Sequence, residues 1–161
     1  YTQMDNRQQG LNGKFRLHYH PFNYCAFYHS PPDLQLGTVH VPGHPIMCNV
    51  KTFTAKQFCH HTQCTPANEK VKVIAEWSNG YPLVAERVNP FGTAIVVGLN
   101  MTAASHSAFG GYWDKNDTDG VSIVFNSVVY AARWNRKSWC FKAHRMQNSK
   151  TLADVCLIFE H

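Results

Sequence analysis

Val71-Lys72-Val73-Ile74-Ala75-Glu76-Trp77, then Ser78-Asn79-Gly80, then Tyr81-Pro82-Leu83-Val84-Ala85-Glu86-Arg87-Val88 is the stretch on which the fold turns. Two runs rich in β-branched and aromatic residues joined through an Asn-Gly pair predict a β-hairpin. Past Asn89-Pro90-Phe91-Gly92, the run Thr93-Ala94-Ile95-Val96-Val97-Gly98-Leu99 is nearly continuous in apolar residues. Such a run is expected of a strand buried on both faces, and it is placed at the centre of the sheet.

Downstream, a polar and Gly-rich stretch from Thr102 to Asp119 reads as a loop. Asp119 is placed to cap a helix from about Gly120 to Arg133. Val121, Val124, Val128, Val129 and Ala132 recur at three- and four-residue spacing, which predicts an apolar face packed on the strand from Ile95. Upstream the pattern is weaker. Phe15 to Tyr19 suggests a short strand, Leu36 to Val41 a better one stopped by Pro42-Gly43, and Thr54 to Gln63 a short helix. Leu152 to Phe159 reads as one more strand beyond a basic linker.

The composition bounds what this object is. A chain of 161 residues with 44% hydrophobic and 16% charged residues folds as one ordinary domain with a short extra segment. The net charge of +5 is scattered. Only Arg133, Arg136, Lys137, Lys142 and Arg145 gather, around Trp134 and Trp139, and the reading favours a solvated linker over a nucleic-acid groove. No apolar run is long enough to span a bilayer, and the first residues lack the basic and apolar regions of a secretory signal. The missing initiator Met and the strand-like final residues lead to the expectation that both ends were cut from a longer protein. Six irregularly spaced cysteines, Cys25, Cys48, Cys59, Cys64, Cys140 and Cys156, are read as reduced thiols of a cytoplasmic protein. The sequons Asn100-Met101-Thr102 and Asn116-Asp117-Thr118 point the other way.

The run Ala75 to Ala85, the run Gly92 to Asn100, and the residues Asp119-Gly120 to Asn126 with Tyr130-Ala131 resemble a known pattern. It is that of the C-terminal half of class I glutamine amidotransferase-like, flavodoxin-like domains, including trehalose-utilisation-type members. Tyr19-His20-Pro21-Phe22 and Gly43-His44-Pro45-Ile46-Met47, with Val50 and Phe53, fit the same comparison. The resemblance spans roughly residues 13–133 and implies an α/β domain with a mixed sheet, a hairpin and one clear C-terminal helix, lacking its N-terminal half. In catalytic members of that superfamily a Cys on a sharp strand-to-helix elbow pairs with a later His. No cysteine here sits in a Gly-x-Cys-x-Gly setting, so no catalytic residue is assigned. Asn148 to Glu160 is similar to the opening strand of BTB/POZ domains. The division implied is an amidotransferase-like domain over 1–133, a basic linker over 134–150, and the start of a BTB-like domain over 151–161.

Local clusters add candidates. Cys59-His60-His61-Thr62-Gln63-Cys64 is the richest in metal-ligand types, with Cys59, His61 and Cys64 the weak candidates, but its spacing does not match a standard zinc site. His44 is read as a capping or core-edge residue, because no Ser or Cys elbow accompanies it. Glu76 and Glu86 lie on paired strands and are expected either to face one another, which would raise one carboxylate, or to face solvent. The loop over 102–118 leaves the carboxyl end of the best strand candidate, where ligands bind in open α/β sheets. Ser105, His106, Tyr112 and Trp113 are therefore the ligand-binding candidates, against a plain covering loop. The expectation is a non-catalytic module that binds a ligand or a protein within a BTB-type adaptor. It calls for no cofactor, and its partners are proteins, with a small molecule or peptide as possible ligand. The alternative is a metal- or His-dependent hydrolase using His44, Cys59, His61 and Cys64.

Overall fold

The computed structural model describes residues 13–23, 27–29, 34–55, 60–92, 94–101, 113 and 117–132. The hairpin forms as predicted. β4 (Lys72–Trp77) and β5 (Pro82–Val88) pair antiparallel. At the turn the Gly80 N–H donates to the carbonyl of Trp77 at 2.9 Å, with Gly80 at a φ of 84° that favours glycine. β2 (Leu36–Val39) lies on the far side of β4, and β6 (Ile95–Leu99) pairs with β5, giving a four-stranded sheet of order β2-β4-β5-β6. A separate two-stranded ribbon joins β1 (Phe27–His29) to β3 (His60–Thr62). α1 (Lys14–His18) is short, and α2 (Gly120–Ala132) is the one long helix among the described residues.

The architecture is thus α/β in character, a four-stranded sheet with one substantial helix, and every described pairing is antiparallel rather than mixed. Four further expectations are corrected. Phe15 falls in a helical turn rather than a strand. His60–Thr62 is extended rather than helical, and Thr54 bridges to Gln35. β6 sits at the end of the described sheet, and β5 is the strand buried along nearly its whole length. The apolar run of β6 has another cause: it is covered from two sides. α2 packs on it, and Pro21 and Phe22 press against Gly98, where a side chain would collide with both.

The fourth correction concerns the helix face. Val121, Val124 and Val128 are exposed, at 51%, 39% and 61%, whereas Gly120, Ile123, Asn126 and Ser127 are buried. The helix carries apolar residues on both stripes, so periodicity alone selected the one richer in valine. Its neighbour is the 3₁₀ turn Pro45–Met47, whose backbone carbonyls need donors as well as apolar contact. Asn126 supplies them, donating from Nδ2 to the carbonyls of Ile46 and Cys48, both at 3.0 Å.

Asp119 does open the helix, since its carbonyl accepts from the Ile123 N–H at 3.0 Å. Its carboxylate reaches elsewhere, accepting from the backbone N–H groups of Lys51 at 2.7 Å and Thr52 at 2.9 Å. The start of α2 is thereby fastened to the segment that leads into Phe53 and the bridge residue Thr54.

The main core gathers Leu34, Ile46, Met47, Phe53, Ile74, Trp77, Leu83, Val84, Trp113 and Ile123. A smaller cluster of Phe22, Cys64, Val71 and Ala85 forms beside it. Val84 belongs to the first and Ala85 to the second, as expected of consecutive residues that point to opposite faces of a strand. Trp77 is fully buried, and its Nε1–H donates to the carbonyl of Asn100 at 3.0 Å. Asn100 in turn donates from Nδ2 to the carbonyl of Pro82 at 2.9 Å, so the amide of the first sequon is spent inside the fold.

Candidate functional site

Among the described residues, the densest set of titratable side chains forms where the 3₁₀ turn meets β5 and α2. His44 stands between Pro42-Gly43 and Pro45, and the following proline holds its backbone extended, with ψ 136°. That conformation suits an N-cap. The His44 ring turns back so that Nδ1 accepts from the Ile46 N–H at 3.2 Å, which bears out the capping role. Because Nδ1 is an acceptor, the proton of the neutral ring sits on Nε2. Nε2 lies 3.1 Å from Oε2 of Glu86 and donates to it. His44 is 5% exposed, so this bond forms in a largely desolvated setting.

Two more groups complete the cluster. Tyr130, on the buried side of α2, stands edge-on to the His44 ring with centroids 4.7 Å apart, and its hydroxyl donates to Glu86. Lys72, directly opposite Glu86 in the hairpin, places Nζ 3.6 Å from Oε1. Lys72 is half-exposed, so its pairing with Glu86 contributes little to stability. Burial of the Glu86 carboxyl pushes it upward, but the hydrogen bonds from His44 and Tyr130 and the charge of Lys72 outweigh that and hold it below the usual range. Tyr130 is pushed well above the ordinary phenol range, first by burial and then by its bond to the Glu86 carboxylate.

The two glutamates do not meet. The register sets Glu86 against Lys72 and Glu76 against Pro82, and Glu76 takes its own histidine, with Nε2 of His40 3.0 Å from Oε1. The paired-carboxylate expectation is therefore corrected, and with it the sign, since Glu86 is lowered rather than raised. The two His–Glu pairs have a common consequence: they fasten the chain from His40 to His44 onto the hairpin at two points.

The other candidates are distributed differently. Trp113 is 5% exposed and lies in the main core, its ring edge-on to Phe53 at 5.5 Å and over Gly120 at the start of α2. Ser105, His106 and Tyr112 lie outside the described residues, as do Cys59, the basic segment from Arg133 and the tail over 151–161. His61 stands in β3 opposite Tyr28. Cys48 and Cys64 are disulfide-bonded, which corrects the reading of these two as reduced thiols. Cys64 accordingly has no thiolate to offer a metal. Among the described residues no group of three or more His, Cys, Asp or Glu side chains is arranged to hold a metal ion. No described helix is long and apolar enough to cross a membrane.

Sequence reasoning missed Tyr130 and Asn126. Both were assigned to no role because their partners, Glu86 and the carbonyls of Ile46 and Cys48, are distant in the chain. The only local sign of the cluster was the Pro-Gly-His-Pro run that marks His44 as a cap. Compared with protein-family models, curated proteins and solved structures, the chain shows no significant match to any.

Proposed function

We propose that this chain serves as a non-catalytic module, binding a ligand or a protein partner within a larger adaptor of BTB type. The observation that carries the reading is the commitment of His44. A histidine acting as general base needs one ring nitrogen free to take a proton from a nucleophile or water. Here Nδ1 faces the Ile46 N–H and Nε2 faces Glu86, so neither nitrogen is turned toward a described nucleophile, and the buried His–carboxylate pair works as a clamp between turn and sheet.

Descent from the class I glutamine amidotransferase-like, flavodoxin-like superfamily is part of the same proposal. The residues of the resemblance, 75–85, 92–100 and 119–131, overlap β4, β5, β6 and α2, while the antiparallel pairing of those strands weighs against it, since flavodoxin-like sheets are mostly parallel. The valine stripe on the outer side of α2 favours protein binding over catalysis, since apolar surface is costly to leave in water. The cytoplasmic part of the reading is what the disulfides at Cys48 and Cys64 weigh against, because reducing compartments keep such thiols apart.

The discriminating experiment is an activity screen of the purified chain on glutamine and on chromogenic amides and esters, beside His44→Asn. No turnover distinguishable between the two is expected. Turnover that disappears in a folded His44→Asn protein would instead establish the His-dependent hydrolase.

A further inference from the structure

We infer that His44 is a proton-operated latch: adding a proton to its Nδ1 releases the 3₁₀ turn Pro45–Met47 while the ring itself stays anchored to Glu86. The inference stands on which atom faces which. In the neutral state Nδ1 accepts the Ile46 N–H at 3.2 Å and Nε2–H donates to Glu86 at 3.1 Å. An imidazolium has two N–H donors and no acceptor. Once charged, its Nδ1–H points at another N–H, and the cap bond is replaced by a contact between two donors.

The groups around the ring decide which side gives way. From β5, the Glu86 carboxylate gains a full ion pair with the charged ring. From α2, Tyr130 stands steeply inclined to the His44 ring with centroids 4.7 Å apart, and its hydroxyl donates to the same Glu86 carboxylate. From β4, Lys72 is the one described positive charge near Glu86, and it is half-exposed and 3.6 Å from the other carboxylate oxygen. The neighbouring pair of His40 and Glu76 lies further along the hairpin and holds the start of the same loop. The Glu86 carboxylate keeps the imidazolium in place. The weak side is the backbone that follows it.

That backbone matters beyond itself. Ile46 is fully buried in the main core, and the carbonyls of Ile46 and Cys48 are the acceptors through which Asn126 fixes α2. Loosening the turn therefore loosens the seat of the helix, while the hairpin, closed by its own ladder, is untouched.

The test is amide hydrogen exchange of the wild-type chain by NMR between pH 7.5 and 5.5, corrected for intrinsic rates, with His44 ring nitrogen shifts recorded on the same samples. Protection at Ile46 and Met47 is expected to fall about five- to tenfold, the worth of one buried hydrogen bond, with the same midpoint as the ring shifts. Protection across β4 and β5 should hold. In His44→Asn the side-chain oxygen can still accept the Ile46 N–H and cannot titrate, so the fall should vanish. Unchanged protection at Ile46 while the ring titrates overturns the latch, and so does the same fall in His44→Asn. Should that variant not fold, agreement of the two wild-type midpoints decides alone.

Discussion

The Nδ2 of Asn126, in the middle of α2, lies 3.0 Å from the carbonyl oxygen of Ile46, a residue eighty positions earlier and fully buried. A second bond of equal length runs from the same nitrogen to Cys48. One side-chain amide thus satisfies two carbonyls at the end of a 3₁₀ turn and sets where the helix sits.

Removing that amide should be expensive for a residue of its size. Asn126→Leu leaves the buried Ile46 carbonyl and the part-buried Cys48 carbonyl without this donor, and an unsatisfied buried acceptor costs about 1–3 kcal/mol. Urea unfolding should show a loss of about 2–3 kcal/mol. A midpoint equal to that of wild type would mean that α2 is seated by its apolar contacts alone.

The two stripes of α2 make opposite predictions for similar truncations. Ile123 has no exposure and belongs to the main core, so Ile123→Ala should cost about 2–5 kcal/mol. Val128, at 61% exposure, should tolerate alanine within about 0.5 kcal/mol. Thermal unfolding of the pair separates this helix orientation from the valine-inward one, under which the ranking reverses.

Glu86 should give the fold an acid-sensitive component. Its carboxyl is held below the usual range, burial pushing upward but the His44 and Tyr130 hydrogen bonds prevailing. The unfolded chain therefore binds the proton more readily than the folded one. The contribution is present in full above the unfolded glutamate value of about 4.3 and is lost as pH falls through the lower folded value. Chemical denaturation from roughly pH 6 down to pH 3 should show a shallower decline in Glu86→Gln than in wild type. Parallel curves for the two proteins would remove Glu86 as the cause.

Reduction tests the cysteines. Cys48 closes the 3₁₀ turn and Cys64 is buried beside Phe22 and Ala85, and both are disulfide-bonded. Loss of a native disulfide in a small domain costs about 2–5 kcal/mol, so an excess of reductant should lower the unfolding midpoint markedly. Mass spectrometry after alkylation without reduction should leave both residues unlabelled. Labelling of both in the native protein would restore the reduced-thiol reading.

Short-range order was legible because its causes are short-range. Asn79-Gly80 between two β-rich runs specified the hairpin, since a tight turn with a positive φ at Gly80 is a property of adjacent residues. Asp119-Gly120 marked the start of α2 for the same reason, and Pro45 after His44 marked the cap. Where each element went was another matter. The run Ile95 to Leu99 carries the apolar content of a central strand, and only the approach of Pro21 and Phe22 to Gly98 shows how a strand at the end of the described sheet comes to need it. The inward stripe of α2 was hidden because its partner is a turn rich in backbone carbonyls, which selects Asn126 over valine. The cluster of His44, Glu86, Lys72 and Tyr130 is likewise a tertiary product. Composition and local pattern set which elements form. Which residues face each other was decided by the hydrogen-bonding needs of distant backbone, and no periodicity along the chain records those.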